Sequence, residues 1–164
     1  MPEKKTMERA EEDKREGKAA STQAGEFVRE EMDHVREGKH GARSAKQAVA
    51  IGLSKARRAG VKLAPPKKGK ASERTRKQAA RDTAKGSSAS ARPPSRKRSR
   101  AVTGALKREG HGSASHSALS RQAHASARSR GATSLRQAAR KAARTKGPAG
   151  RKKAAQKAAR TRAR

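Results

Sequence analysis

Only 12 of the 164 residues are Leu, Ile, Val or Phe, while Lys and Arg outnumber Asp and Glu by 45 to 14. That shortage of large apolar side chains constrains the chain more than any motif in it. A core needs apolar surface to offset the entropy of ordering the backbone, and a net charge of +31 adds self-repulsion. Trp and Tyr are absent and Phe27 is the single aromatic anchor. Alanine, arginine, lysine and glutamine all favour helix over strand. The composition therefore predicts a mainly α protein: short helices in a small N-terminal module, followed by a largely disordered basic tail with transient Ala/Arg/Lys-rich helices.

The charge divides the chain. Residues 1–63 carry 15 Lys and Arg against 11 Asp and Glu, a net of +4. Residues 64–164 carry 30 against three, Glu73, Asp82 and Glu109, a net of +27. Eight of the 12 large apolar residues also lie before position 64. The break falls at Leu63-Ala64-Pro65-Pro66-Lys67-Lys68-Gly69, where paired prolines end a helix and favour extended backbone.

Three helices are predicted in the module. The first, near 7–16, is charged almost all round and stops at Gly17. The second, near 26–37, carries Val28, Met32 and Val35 on one stripe with Phe27 beside it, and stops at Gly38. The third, near 45–59, has the capping-box pair Ser44 and Gln47 and a stop at Gly60. Ala45, Ala48, Val49, Gly52, Leu53 and Ala56 share one of its faces, small enough for another helix to come close. With so few anchors, the segment 26–59 is expected to self-associate or dock on a partner.

The basic region repeats an element. Lys77-Gln78-Ala79-Ala80-Arg81 precedes Gly86, and Arg136-Gln137-Ala138-Ala139-Arg140 precedes Gly147. Arg121-Gln122-Ala123 precedes Gly131, and the chain ends on a looser copy. Helix-forming units are expected near 72–85, 117–130, 134–146 and 151–162, each marginal alone and strained by like charge. Arg92-Pro93-Pro94-Ser95-Arg96-Lys97-Arg98-Ser99-Arg100 reads as a dense, extended basic run.

Several functions are excluded. Cysteine is absent, which removes disulfides, thiolate metal sites and cysteine nucleophiles. The histidines His34, His40, His111, His116 and His124 show no metalloprotease or comparable spacing and read as scattered, solvated or phosphate-contacting side chains. No metal and no cofactor is expected. Gly41 to Lys46 lacks the second glycine and the Ser/Thr of a phosphate-binding loop. The carboxylates have no pocket to work in, so neither an enzyme nor a small-molecule substrate is expected. No membrane partner follows either, because the basic helices carry Ala where insertion needs Leu or Phe.

What remains is phosphate. The sequence predicts non-specific nucleic-acid binding, DNA favoured and RNA possible, through backbone contacts rather than base edges. Candidate contacts are Arg57, Arg58, Arg92, Arg96, Lys97, Arg98, Arg100, Arg136, Arg140, Lys141, Arg144, Lys146, Arg151, Lys152, Lys153, Lys157, Arg160, Arg162 and Arg164. Without a secretory or membrane-spanning stretch, a cytoplasmic, nucleoid-associated location is expected. Two other readings stay open: 1–63 as a protein-interaction module with a localising tail, and an RNA- or ribosome-associated protein.

The stretches Gly25-Glu26-Phe27-Val28-Arg29-Glu30-Glu31, His34-Val35-Arg36-Glu37-Gly38-Lys39-His40-Gly41-Ala42-Arg43-Ser44 and Lys46 to Leu63 resemble a family of small uncharacterised bacterial proteins. The resemblance spans roughly 3–66 and implies a bacterial origin without a mechanism. The Ala/Lys/Arg/Pro tail is similar in composition to linker-histone tails, which implies DNA compaction.

Overall fold

The computed structural model describes residues 2–88 and 95–162. Six helices follow one another: α1 Lys4–Arg15, α2 Ala20–Arg36, α3 Ala45–Arg58, α4 Glu73–Ser87, α5 Arg96–Lys107 and α6 His116–Arg162, with a single 3-10 turn at Gly112–Ala114 before the last. No strand occurs among the described residues. The chain forms two compact units, Met1–Leu119 and Ser120–Arg164.

In the first unit α2 lies between α1 and α3. It starts six residues before the expected position 26, and Ala24 in the added stretch is fully buried beside Phe27. Those two join Ala10, Ala56 and Val61 in one cluster, with Met7, Leu53 and Leu63 packed against it. A second cluster gathers Met32, Val35, Ala42, Ala48 and Ala114, flanked by Val28, Val49 and Leu119. Ser44 caps α3 as the spacing predicts, accepting from the Gln47 N–H at 3.2 Å. The return bond runs to the Arg43 N–H at 3.0 Å, one residue ahead of the cap.

The small-residue face of α3 is buried, and its neighbour is α2 of the same chain. A Cβ on Gly52 would stand 2.7 Å from Val28 Cα. Only glycine lets the two backbones approach that closely. Alanine and glycine thus make a core that a census of large apolar residues overlooks.

Buried charge is paired. Lys55 Nζ reaches Glu30 Oε1 at 3.2 Å and Glu31 Oε2 at 2.7 Å, from α3 onto α2. The start of α1 is tied to the same place: the Glu3 N–H donates to Glu30 Oε2 at 3.0 Å. Burial raises the Glu30 pKa, but the bonds from Glu3, Thr6 and Lys55 outweigh it and hold the carboxyl below its ordinary value. Donation from His34 Nε2 and Lys39 Nζ lowers Glu3 itself to about 2.

The basic region corrects the expectation of a largely disordered tail: from Glu73 onward the described residues are mostly helix. Its first half is also docked. Asp82 on α4 is buried and accepts from Ser54 Oγ and Arg58 Nε, both at 2.7 Å, and from Gln78 Nε2 at 3.0 Å. At the end of α5, Gly41 N–H donates to Leu106 O at 2.9 Å, and just beyond it Ala42 N–H donates to Gly110 O at 3.1 Å. Arg36 Nε donates to Ala114 O at 3.1 Å, and Ala114 fills the second cluster. The physical reason for the discrepancy is that docking here uses polar pins and alanine contacts, and neither registers as hydrophobicity.

Among its described residues the second unit has no buried one. Within α6, Gly131 and Gly147 take φ of 78° and 62°, dividing it into helical stretches 116–130, 132–146 and 148–162. Pro148 opens the last stretch, where its missing N–H costs no bond. No described helix is long and apolar enough to cross a membrane.

Candidate nucleic-acid interface

The predicted contacts fall into groups with different surroundings. Arg57 is buried and turned inward: Nε donates to Leu63 O at 3.2 Å, and the two terminal nitrogens to Leu53 O and Ala64 O at 3.4 Å each. Burial pulls its pKa down and the Asp82 charge opposes that. It closes the end of α3 with its nitrogens spent on backbone carbonyls. Arg58 remains half exposed but spends its Nε on Asp82. Arg92 and Arg164 lie outside the described residues.

Arg96, Lys97, Arg98 and Arg100 are exposed at the start of α5, which is helical where the sequence suggested an extended run. No acidic residue occupies its first turn. Cations there oppose the positive end of the helix dipole by roughly 0.3–1 kcal/mol each at low salt, a repulsion an anion would relieve.

Arg136, Arg140, Lys141, Arg144, Lys146, Arg151, Lys152, Lys153, Lys157, Arg160 and Arg162 are all exposed on α6. None forms an ion pair among the described residues, since no carboxylate follows Glu109 in the sequence. Arg136, Arg140 and Arg144 recur every fourth position and line one ridge. Residues 136–146 place five cations along the helix at a mean axial spacing of about 3.8 Å. Phosphates along one strand of a duplex repeat at about 3.4 Å. The two spacings are similar.

Sequence reasoning missed a further ridge. Arg74, Lys77, Arg81 and Lys85 are exposed on one side of α4, away from its buried Ala79 and Asp82. The signal was present as an i, i+3, i+7, i+11 spacing inside the recognised repeat. Arg121, Arg128 and Arg130 on α6 were passed over because they are more thinly spaced.

The histidines are not all scattered. His34 and His40 lie with ring centroids 5.9 Å apart, nearly perpendicular, beside the buried Glu31.

Residues 13–68 match a family described as a family of unknown function (DUF6496). That match takes in α2, α3 and the loop after them, and leaves α4, α5 and α6 outside. No curated protein and no solved structure matches the chain.

Proposed function

We propose that this chain binds nucleic acid through its phosphate backbone without reading sequence, duplex DNA foremost, in the manner of a histone-like nucleoid protein. The observation that carries the reading is α6, where all 14 Lys and Arg face solvent and no carboxylate neutralises them. Helices charged this uniformly repel themselves, and a polyanion relieves the repulsion. The α4 ridge and the α5 start add cations on the folded unit. Duplex is favoured over single strands because the chain lacks Trp and Tyr on which bare bases could stack.

The test is fluorescence anisotropy of the full chain on duplex DNA, duplex RNA and single-stranded DNA across a salt series. Ten engaged cations would give a log–log slope of about −9 and a loss of roughly 10⁵ in affinity between 50 and 200 mM salt on duplex DNA. Single strands should show a shallower slope. Failure to bind any of the three at low salt would end the proposal. Equal or tighter binding to duplex RNA would move the preferred partner from DNA to RNA.

A further inference from the structure

We propose that Glu31, His34 and His40 form a binding site for one divalent transition-metal ion of the zinc class. A ring nitrogen of His34, a ring nitrogen of His40 and a carboxylate oxygen of Glu31 lie within 4.8 Å of one another. Their origin is local. Glu31 and His34 are one turn apart on α2, a Glu-x-x-His pair that helix geometry sets on one face. The turn at Gly38 then folds the chain back and brings His40 over the same face.

Three features distinguish this cluster from ordinary surface polarity. Glu31 is fully buried, and neither of its oxygens has a hydrogen-bond partner, although Oε2 is ion-paired to Lys55 Nζ at 2.7 Å. Oε1 instead faces His40 Nε2 at 3.3 Å. The Nδ1 of His40 lies 3.1 Å from Gly41 O, a carbonyl that only accepts, so Nδ1 carries the hydrogen. In neutral imidazole the lone pair then sits on Nε2, pointing at a carboxylate. Two acceptors face each other in a buried place, and a cation between them resolves the conflict. Two ligands about 2.0–2.1 Å from a tetrahedral zinc stand roughly 3.3 Å apart, the separation found here.

The surroundings match those of metal-binding histidines, whose second ring nitrogen donates to a carbonyl or carboxylate. Gly41 O serves His40, and the Glu3 carboxylate accepts from His34 Nε2 at 2.9 Å. Glu3 is therefore a positioning residue. The loop is braced from behind: a Cβ on Gly41 would overlap the Glu109 carbonyl, and Gly41 N–H is held by Leu106 O. With the His34 and His40 side chains 13% and 15% exposed, water can complete the coordination. Two imidazoles with one carboxylate suit Zn2+, Co2+, Ni2+ and Cu2+ over Mg2+ or Ca2+, which prefer all-oxygen sites. The ion would tie the end of α2 to the loop that receives α5.

The probes are Co2+, followed by its visible absorption, and Zn2+, followed by calorimetry and by displacement of the Co2+, on the full chain. One equivalent should bind, with the Co2+ spectrum of a low-coordinate nitrogen and oxygen site, and Zn2+ should raise the melting temperature. Glu31→Gln, His34→Ala and His40→Ala should each weaken Zn2+ by a hundredfold or more. Glu3→Gln should cost about 10–100-fold. His124→Ala, on α6, should bind as the parent does. Circular dichroism accompanies each variant, and the near-isosteric Glu31→Gln carries the decision if a histidine variant loses helicity. No uptake of either metal by the helical parent chain would overturn the site. Undiminished affinity in a helical Glu31→Gln chain would overturn it too.

Discussion

Two stretches of this chain share nearly the same pentapeptide and meet different fates. Lys77-Gln78-Ala79-Ala80-Arg81 on α4 docks on the folded unit, with Ala79 buried. Arg136-Gln137-Ala138-Ala139-Arg140 on α6 stands in solvent along its whole length. The next residue separates them: Asp82 follows the first, Lys141 the second. Asp82 reaches Ser54 and Arg58 of α3 through hydrogen bonds that charge strengthens. Helix formation is thus common to both, while the docked copy adds a buried carboxylate bonded to α3. The region with an acid becomes part of a fold, and the region without one remains a series of solvent-exposed cationic helical stretches.

The comparison can be tested from either end. The largest effect is expected from removing charge on the exposed copy. Replacing Arg136, Arg140, Lys141 and Arg144 together by Gln should flatten the log–log salt slope on duplex DNA by about 3.6 and weaken binding roughly a thousandfold at 0.1 M salt. Denaturation of the first unit should be unchanged, because none of the four residues contributes to its core.

On the docked copy, Asp82→Lys imitates Lys141 and sets a second cation against Arg58. About 3 kcal/mol of stability should be lost, since the hydrogen-bonding groups around a buried carboxylate are left opposed or unsatisfied. Urea denaturation measures the loss, and amide exchange should locate it in 73–87. A variant in which α4 keeps its protection would show that Ala79 and its neighbours suffice to dock it.

Gly52→Val examines the other means of docking, close approach of backbones. Its Cβ would already press on Val28 Cα, so α2 and α3 must separate. A loss of about 2 kcal/mol in the same denaturation is expected. The same exchange at Gly150 of α6, where the nearest atom to a Cβ is the Lys146 Cβ at 3.5 Å, should leave the first unit as stable as before.

The smallest effect concerns the turn between α1 and α2. Lys18 donates to Asp13 at 2.7 Å and lies 2.6 Å from Glu16, and these bonds raise its pKa above the ordinary 10.5. A raised lysine contributes stability fully below pH 10.5 and loses it as pH climbs through the higher folded value. A side-chain NMR titration in the parent chain and in Asp13→Asn should place Lys18 higher in the parent.

Helix positions were largely legible from local cues. Ser44 with Gln47, the glycines 17, 38 and 60, and the repeat at 77–81 mark starts, stops and interiors through backbone chemistry that acts within a few residues. The density of cations on α6 was legible for the same reason, as it is a property of composition. The burial of Arg57 was not legible, because nothing within its own helix tells an exposed arginine from one that folds back onto Leu63 and Ala64. The cluster of Glu31, His34 and His40 was half visible as a Glu-x-x-His spacing. His40 joins it only through a reversal of the chain.

By itself, then, the amino-acid order determined the three helices of the N-terminal module and the uncompensated positive charge, since both arise from neighbours along the chain or from simple counts. Tertiary structure alone decided which helix docks, which arginine is buried and which histidine meets which glutamate. Those outcomes depend on contacts between residues tens of positions apart, made by alanines, glycines and single carboxylates whose own preferences are too weak to announce them.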